Sequence, residues 1–218
     1  MNVSVVSLLM FLVFVIFRYF TLIYVSFLQR TKEISMEELE LHSDLPRVSI
    51  LVPAYNEGPL IETSIRSLTE LNYTNFEVIV INDGSTDGTL VNARKMEGRQ
   101  GNAVVRVITQ RNMGKSHALN NGASIATGEF LVSVDGDSKL APNTLLNAIR
   151  HFKDPRIGAV AGNVKVINRR NLLTKLQALE YIEGLNMVRR AQAFFSSVNI
   201  VPGPIGIFRR EALIGVGG

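Results

Sequence analysis

The sequence predicts a doubly wound, mostly parallel α/β sheet preceded by one membrane-spanning helix. Three observations predict it. Apolar runs alternate with segments of helical period from residue 47 to residue 152, the pattern that builds parallel sheets through helical crossovers. Three of the expected strands are nearly continuous apolar runs, as in sheets covered by helices on both faces. Polar clusters fall where the strands end, and open α/β sheets bind ligands beyond the carboxyl ends of their strands.

The elements follow in order. Residues 3–28 are almost wholly apolar and measure about 39 Å as a helix, enough to span a bilayer with some tilt. The leading Met-Asn-Val-Ser has no basic residue and no small-x-small cleavage site follows, so a retained anchor is expected rather than a signal peptide. Arg30 and Lys32 follow the span and nothing basic precedes it. The positive-inside bias then leaves the N-terminus outside and the rest cytoplasmic, at the plasma membrane. Arg18 interrupts the span and is expected to snorkel toward the interface, the alternative being that it faces a partner helix or a polar path. Residues 29–46 are polar and acidic and read as a juxtamembrane linker with a short helix, leaving 47–218 for the domain.

Within that domain, strands are expected at 47–52, 76–81, 103–109 and 129–134. Helices are expected at 57–71, 86–96, 115–127 and 142–152. A long helical pattern covers 172–195, with Leu172, Leu176, Leu179, Ile182 and Leu185 on one face. Packing on the sheet is the simpler expectation for that face, and contact of its basic end with a membrane is the alternative. Residues 201–206 are rich in Pro and Gly and read as a shaped loop, with a new helix beginning at Phe208.

Composition excludes several classes. The chain has no cysteine, so disulfides and thiolate metal sites are absent, and His42, His117 and His151 are too scattered for a zinc set. The net charge of +4 comes without an arginine-rich stripe interleaved with aromatics, so nucleic acid is not an expected partner.

The chemistry sits at the strand ends. Asp135 and Asp137 are two apart in extended backbone, so they share a face about 7 Å apart or less. Such a pair suits a hard divalent cation, Mg²⁺ or Mn²⁺, which commonly brings a diphosphate with it. Asp-Gly is also a common turn, and that alternative stands for the triplet taken alone. Asp83 precedes Gly84-Ser85-Thr86 and is either a turn aspartate or an acceptor for a base or ribose. Lys115 opens a helix, where the dipole disfavours a cation and a bound phosphate would relieve the conflict, with a solvated lysine as the alternative. No Walker loop and no Gly-x-Gly-x-x-Gly is present, which argues against NTPases and dinucleotide enzymes.

Taken together, Val48 through Glu57, Asn82 through Asp87, Asn112-Met113-Gly114-Lys115 with Ala118-Leu119-Asn120, and Asp135-Gly136-Asp137 resemble the ordered motifs of family 2 inverting glycosyltransferases. Ile157 through Val164, Gln177 through Tyr181 and Gly203 through Arg210 resemble its processive membrane branch, which includes cellulose, chitin, hyaluronan and poly-N-acetylglucosamine synthases. The resemblance implies a GT-A fold that transfers a sugar, N-acetylglucosamine by overall likeness, from a UDP-sugar to a growing β-linked polysaccharide. It implies that Pro53, Tyr55, Glu57 and Asp83 line the uridine pocket, Lys115 approaches the nucleotide and Asp135 the ribose or diphosphate. Asp137, with Asp135, is implied as metal ligand, and Gly203, Pro204, Arg209 and Arg210 as the acceptor region. In the family, a Glu-Asp segment supplying the general base and a Gln-x-x-Arg-Trp motif follow the region matched here. The base is therefore expected to lie outside this chain, which would work with other membrane subunits or a missing C-terminal half. Two alternatives stay open: a non-processive transferase with a lipid-linked or small acceptor, and a non-catalytic nucleotide-sugar-binding fragment or scaffold.

Overall fold

A computed structural model describes residues 3–37, 45–167, 169–201 and 203–217. Part of the expected linker (38–44), with His42, and Asn168, Pro202 and Gly218 lie outside the described residues. Contacts divide the chain into two compact units, one of residues 1–40 and 163–200, the other of 41–162 and 201–218.

The second unit holds one sheet. Its strands are β1 (Val48–Ala54), β2 (Phe76–Asp83), β3 (Gly98–Gln100), β4 (Ala103–Gln110), β5 (Phe130–Val134), β6 (Ala159–Ala161) and β7 (Ile205–Arg209), in the order β3-β4-β2-β1-β5-β7-β6. β4, β2, β1 and β5 run parallel, whereas β3, β6 and β7 are antiparallel to their neighbours. The parallel core follows the sequence expectation, and the sheet as a whole is mixed.

The three antiparallel strands were not expected. β3 and β6 are three residues long, too short for alternation to show. β7 runs through what reads as a Pro-Gly loop. Its Gly206 belongs to the strand because a Cβ there would fall 2.8 Å from Val201 Cγ1 and the Phe208 ring. Phe208 and Arg209 are accordingly strand residues, and the helix begins only at Arg210.

One α1 helix (Val3–Glu37) fills the first unit's N-terminal part, running beyond residue 28 into the expected linker. The sheet unit carries α2 (Ile61–Thr69), α3 (Thr89–Arg94), α4 (Lys115–Ile125) and α5 (Thr144–Ile149), the last ending in a 3₁₀ turn at Arg150–Lys153. Helices α2 and α3 start later than periodicity suggests, because 56–60 and 84–88 are spent on the turns that build the strand ends.

Burial follows the pleat. On one face Leu51, Ile79, Ile81 and Leu131 meet Ala118 and Ala126, at the two ends of α4. The alternate residues Ile50, Val52, Val78, Val80 and Val132 are fully buried too, with Ile61, Ile65 and Leu68 of α2. Both faces are therefore covered, which explains why β1, β2 and β5 lack polar alternation.

The edge of the sheet where the parallel strands begin is closed by a buried carboxylate. Glu77 accepts from Ser49 Oγ (2.7 Å), Thr127 N (2.8 Å) and Thr127 Oγ1 (2.7 Å), and Arg106 stands 3.4 Å away. Burial raises its pKa, and these donors outweigh that to hold it below the ordinary glutamate range.

In the first unit, α6 (Leu172–Glu180) passes through a π-helical stretch (Tyr181–Met187) into α7 (Val188–Phe194). Of the face expected to be packed, Leu172, Leu176, Leu179 and Ile182 are exposed and Leu185 is partly buried. A last helix, α8 (Arg210–Gly215), follows β7.

Replacing Glu77 by Ala leaves the Ser49 and Thr127 donors unpaired in the interior. It should cost about 3 kcal/mol of stability, read as a drop in Tm of the detergent-solubilised chain; a change below about 1 kcal/mol would contradict the network.

Candidate functional site

The carboxyl ends of β1, β2, β4 and β5 lie side by side, because the parallel register aligns Ala54 with Asn82 and Asp83 with Gln110. Every motif is delivered from one of these ends.

Asp83 closes β2 and is buried. Its Oδ1 accepts from Gln110 Nε2 (2.8 Å) and Met113 N (2.9 Å), and its Oδ2 from Gly114 N (2.8 Å). Burial raises its pKa, but these three donors hold it below the ordinary aspartate range. Gln110 is itself oriented by Asn121 Nδ2, which donates to its Oε1 at 2.8 Å. Gly84 has φ +70°, and a Cβ there would fall 2.7 Å from Asn112 N, so the loop after β4 closes directly over the turn after β2.

A second set of bonds joins the ends of β1 and β2. Asn56, with φ +55°, donates its N–H to Ser85 Oγ (3.0 Å), and its side-chain oxygen accepts from Thr86 N (2.9 Å). Gly58 N donates to Asp87 (3.0 Å), and Glu57 N to Thr89 Oγ1 (2.8 Å). Ser85, Thr86, Asp87 and Thr89 thus stitch the two loops together.

The loop fixed by Asp83 ends at Lys115, the first residue of α4 after Gly114 at φ +89°. Its Nζ forms an ion pair with Asp135 at the end of β5. That carboxylate supplies the anion this helix start calls for. Asp135-Gly136-Asp137 lies against β1, since a Cβ on Gly136 would fall 3.3 Å from Pro53 O and 3.4 Å from Glu57 Cγ. Glu57 feels the crowding: burial first, then Asp137, Asp87 and Asp135, push its pKa above the ordinary glutamate value. Tyr55 is half exposed and Pro53 partly buried beside it.

Pro53, Tyr55, Glu57, Asp83, Lys115, Asp135 and Asp137 therefore come together on one edge. Gly203 joins them, as a Cβ there would lie 3.5 Å from Lys115 Nζ, and Pro204 precedes β7 where it pairs with the end of β5. Arg209 and Arg210 do not join them. Arg209 pairs with Phe130, at the start of β5, roughly 16 Å of strand from Asp135. Its guanidinium lies over Phe130 and Phe152 and donates to Phe152 O (3.0 Å), while Arg210 donates to Ala126 O. Both arginines hold the opposite edge together. Their place in the acceptor region is corrected because five strand residues separate that edge from the carboxylates.

The residues that sequence reasoning missed are Asn56, Thr89, Gln110 and Asn121. Asn56 lies inside the Val48–Glu57 motif and Thr89 just beyond Asn82–Asp87, but Gln110 sits inside strand periodicity and Asn121 inside helix periodicity, where neither stands out.

Among the described residues no three His, Cys, Asp or Glu side chains are grouped as a preformed metal cage. Two carboxylates in an edge with excess negative charge fit a hard cation that takes its other ligands from water or a diphosphate.

Residues 49–217 match the family model for Glycosyl transferase family 2. The chain is 32% identical over 191 residues to the poly-beta-1,6-N-acetyl-D-glucosamine synthase of Staphylococcus aureus (strain COL), covering 87% of this chain and 44% of that protein. It is 31% identical over 177 residues to the synthase of the same name from Staphylococcus epidermidis, covering 81% and 42%. The chain thus spans less than half the length of these relatives. Among solved structures it resembles the mannosyltransferase PcManGT from Pyrobaculum calidifontis in complex with GDP-Man and Mn²⁺, at TM-score 0.68 and 29% identity over 91% of this chain and 56% of that one. It also resembles S. aureus TarS 1-349 in complex with UDP-GlcNAc, at TM-score 0.50 and 27% identity over 59% and 37%.

Because the pKa of Asp83 is lowered, its stabilising contribution is complete above the ordinary aspartate pKa of about 4 and is lost as pH falls through the folded value. Gln110→Leu removes one donor and strands Asn121, and should cost about 1–2 kcal/mol at neutral pH. Thermal melts across pH 3 to 7, roughly the carboxylate range, check this: the deficit of the variant should shrink on acidification.

Proposed function

The chain belongs to glycosyl transferase family 2, and from that premise we propose that it binds UDP-N-acetylglucosamine and transfers the sugar, with inversion, to a hydroxyl of a growing β-linked polysaccharide. The observation that carries this is the gathering of the Asp83-anchored loop, Lys115, Asp135 and Asp137 on one sheet edge. The names of the relatives support the sugar and the polymeric product, and the UDP-GlcNAc complex of a structural neighbour supports the donor. Among the described residues one helix, α1, is long and apolar enough to cross a bilayer, which supports attachment to the plasma membrane with the sheet unit on the cytoplasmic side.

The geometry supports the following roles. Asp83 is buried, yet its carboxylate has more lone pairs than the three donors use, so it can accept one further N–H from a uracil edge. Tyr55 and Pro53 offer an apolar surface beside it for the base. Lys115 meets the diphosphate: in leaving Asp135 for a phosphate oxygen it exchanges one anion for a stronger one at the start of α4. Asp135 and Asp137 would hold Mg²⁺ or Mn²⁺, which when bound neutralises charge on the leaving diphosphate as a Lewis acid. Glu57, with its raised pKa, marks the same excess of negative charge. Gly203 and Pro204, next to Lys115, would border the acceptor sugar.

A second donor has its own support, since the neighbour of higher TM-score is a mannosyltransferase bound to GDP-Man. Displacement of labelled UDP separates the two. UDP-N-acetylglucosamine should compete and GDP-mannose should not; the reverse order would overturn the donor assignment.

Titration calorimetry tests the metal. Asp137→Ala should abolish the part of UDP binding that requires Mn²⁺, and an unchanged heat would sink the assignment. Lys115→Ala should weaken UDP binding tenfold to about a hundredfold, the worth of one charge-assisted contact.

A further inference from the structure

The turn that carries the paired carboxylates is pinned from several sides. Ser138 N donates to Asp135 O (3.0 Å), Ser138 Oγ to Asp137 Oδ1 (3.3 Å), and Ser64 Oγ of α2 to Ser138 O (2.8 Å). Gly136 is buried against β1, where a Cβ would fall 3.3 Å from Pro53 O. Asp135 and Asp137 are therefore carried at fixed stations. Lys115 is held differently. Its backbone start is set by Gly114, whose N–H donates to Asp83, but only a flexible four-carbon arm spans the distance to Asp135. The lysine side chain is 47% exposed against 28% for Asp135. Of the two partners, the ammonium is the one free to leave.

Where it sits decides what else the carboxylates can take. A carboxylate that accepts a lysine and also ligates a divalent cation brings two positive charges close together. Like charges at contact distance repel by more than thermal energy, even with the screening of a half-exposed site. Among the described residues no ion pair joins a cation to Glu57 or Asp137, so the Lys115–Asp135 pair is where the protein's own positive charge enters this edge. The lysine and a metal thus compete for one carboxylate. A diphosphate removes the competition, because some of its oxygens take the ammonium at the start of α4 while others ligate the metal.

We propose that Lys115 couples metal to nucleotide: its ammonium on Asp135 keeps a divalent cation weakly held until a diphosphate draws the lysine away. Metal and UDP then raise each other's affinity, by the same factor in both directions. This rests on the reading of Asp135 and Asp137 as metal ligands, and adds that the charge of Lys115 governs when they are free to act. The sign of one effect separates this role from plain phosphate contact. Removing a lysine that only touches phosphate leaves the metal's own affinity unchanged, whereas removing an internal competitor raises it.

Electron paramagnetic resonance of Mn²⁺ tests this without turnover, because the six-line signal of the aqueous ion is lost on binding. The detergent-solubilised full chain is titrated with Mn²⁺ alone and again with UDP. Lys115→Met should bind Mn²⁺ alone about tenfold more tightly than the wild type, and UDP should tighten Mn²⁺ less in that variant than in the wild type. Lys115→Arg keeps the charge and should stay near the wild type. Lys153→Met makes the same change of charge beside the opposite edge and should leave the affinity unaltered. Equal Mn²⁺ affinity in the wild type and Lys115→Met, with binding lost in Asp137→Ala, overturns the coupling and leaves the metal assignment standing. A gain in Lys115→Arg or Lys153→Met as large as that in Lys115→Met also overturns the coupling. Mn²⁺ binding that survives Asp137→Ala unchanged overturns the metal assignment itself.

Discussion

A carboxylate buried at the end of a parallel strand needs hydrogen-bond donors to remain an anion, and at Asp83 the donors come from the next strand and its loop. Met113 N, Gly114 N and Gln110 Nε2 converge on two oxygens. This fixes the chain from 110 to 114, and with it the point from which Lys115 departs. Without that convergence the loop would have no reason to fold over the Gly84 turn, and the lysine would not face Asp135. The same carboxylate therefore ties β2 to β4 and sets the charge pattern at the edge.

That pattern is unbalanced by design of the strand ends. Glu57, Asp87, Asp135 and Asp137 arrive from three loops. Asp87 is satisfied by Gly58 and Thr89, and Asp135 by Lys115. Among the described residues no ion pair joins a cation to Glu57 or Asp137, and burial first, then the neighbouring carboxylates, raises the Glu57 pKa. An edge of this kind favours a cation together with a ligand carrying several negative oxygens, which is what a metal-bound nucleotide diphosphate supplies. The opposite edge, closed by Glu77 and by the arginines 209 and 210, has its charges consumed by the protein.

Much of this was legible in the sequence, for a physical reason. Strands buried on both faces write continuous apolar runs, so β1, β2 and β5 were evident, and their polar terminators marked the site. Antiparallel β7 was hidden because Gly206 is there for close packing against Phe208, and glycine beside proline reads as a loop. Arg209 and Arg210 were misassigned because sequence adjacency to Gly203 and Pro204 says nothing about a strand that carries them to the other edge. Gln110 and Asn121 were invisible because each occupies an ordinary place in its own element and acquires its role only across the sheet edge. The leucines of α6 have the period of a buried helix, and period alone does not say whether protein or lipid buries them.

Amide hydrogen exchange at Met113 and Gly114 tests the account most directly, comparing the wild-type chain with Asp83→Asn. The asparagine amide keeps one acceptor oxygen and turns its NH2 against the donor at the other position, so at least one of the two N–H groups should lose protection while amides in the middle of β2 and β4 keep theirs. Unchanged protection at Met113 and Gly114 would contradict the claim that the Asp83 carboxylate holds the loop that delivers Lys115.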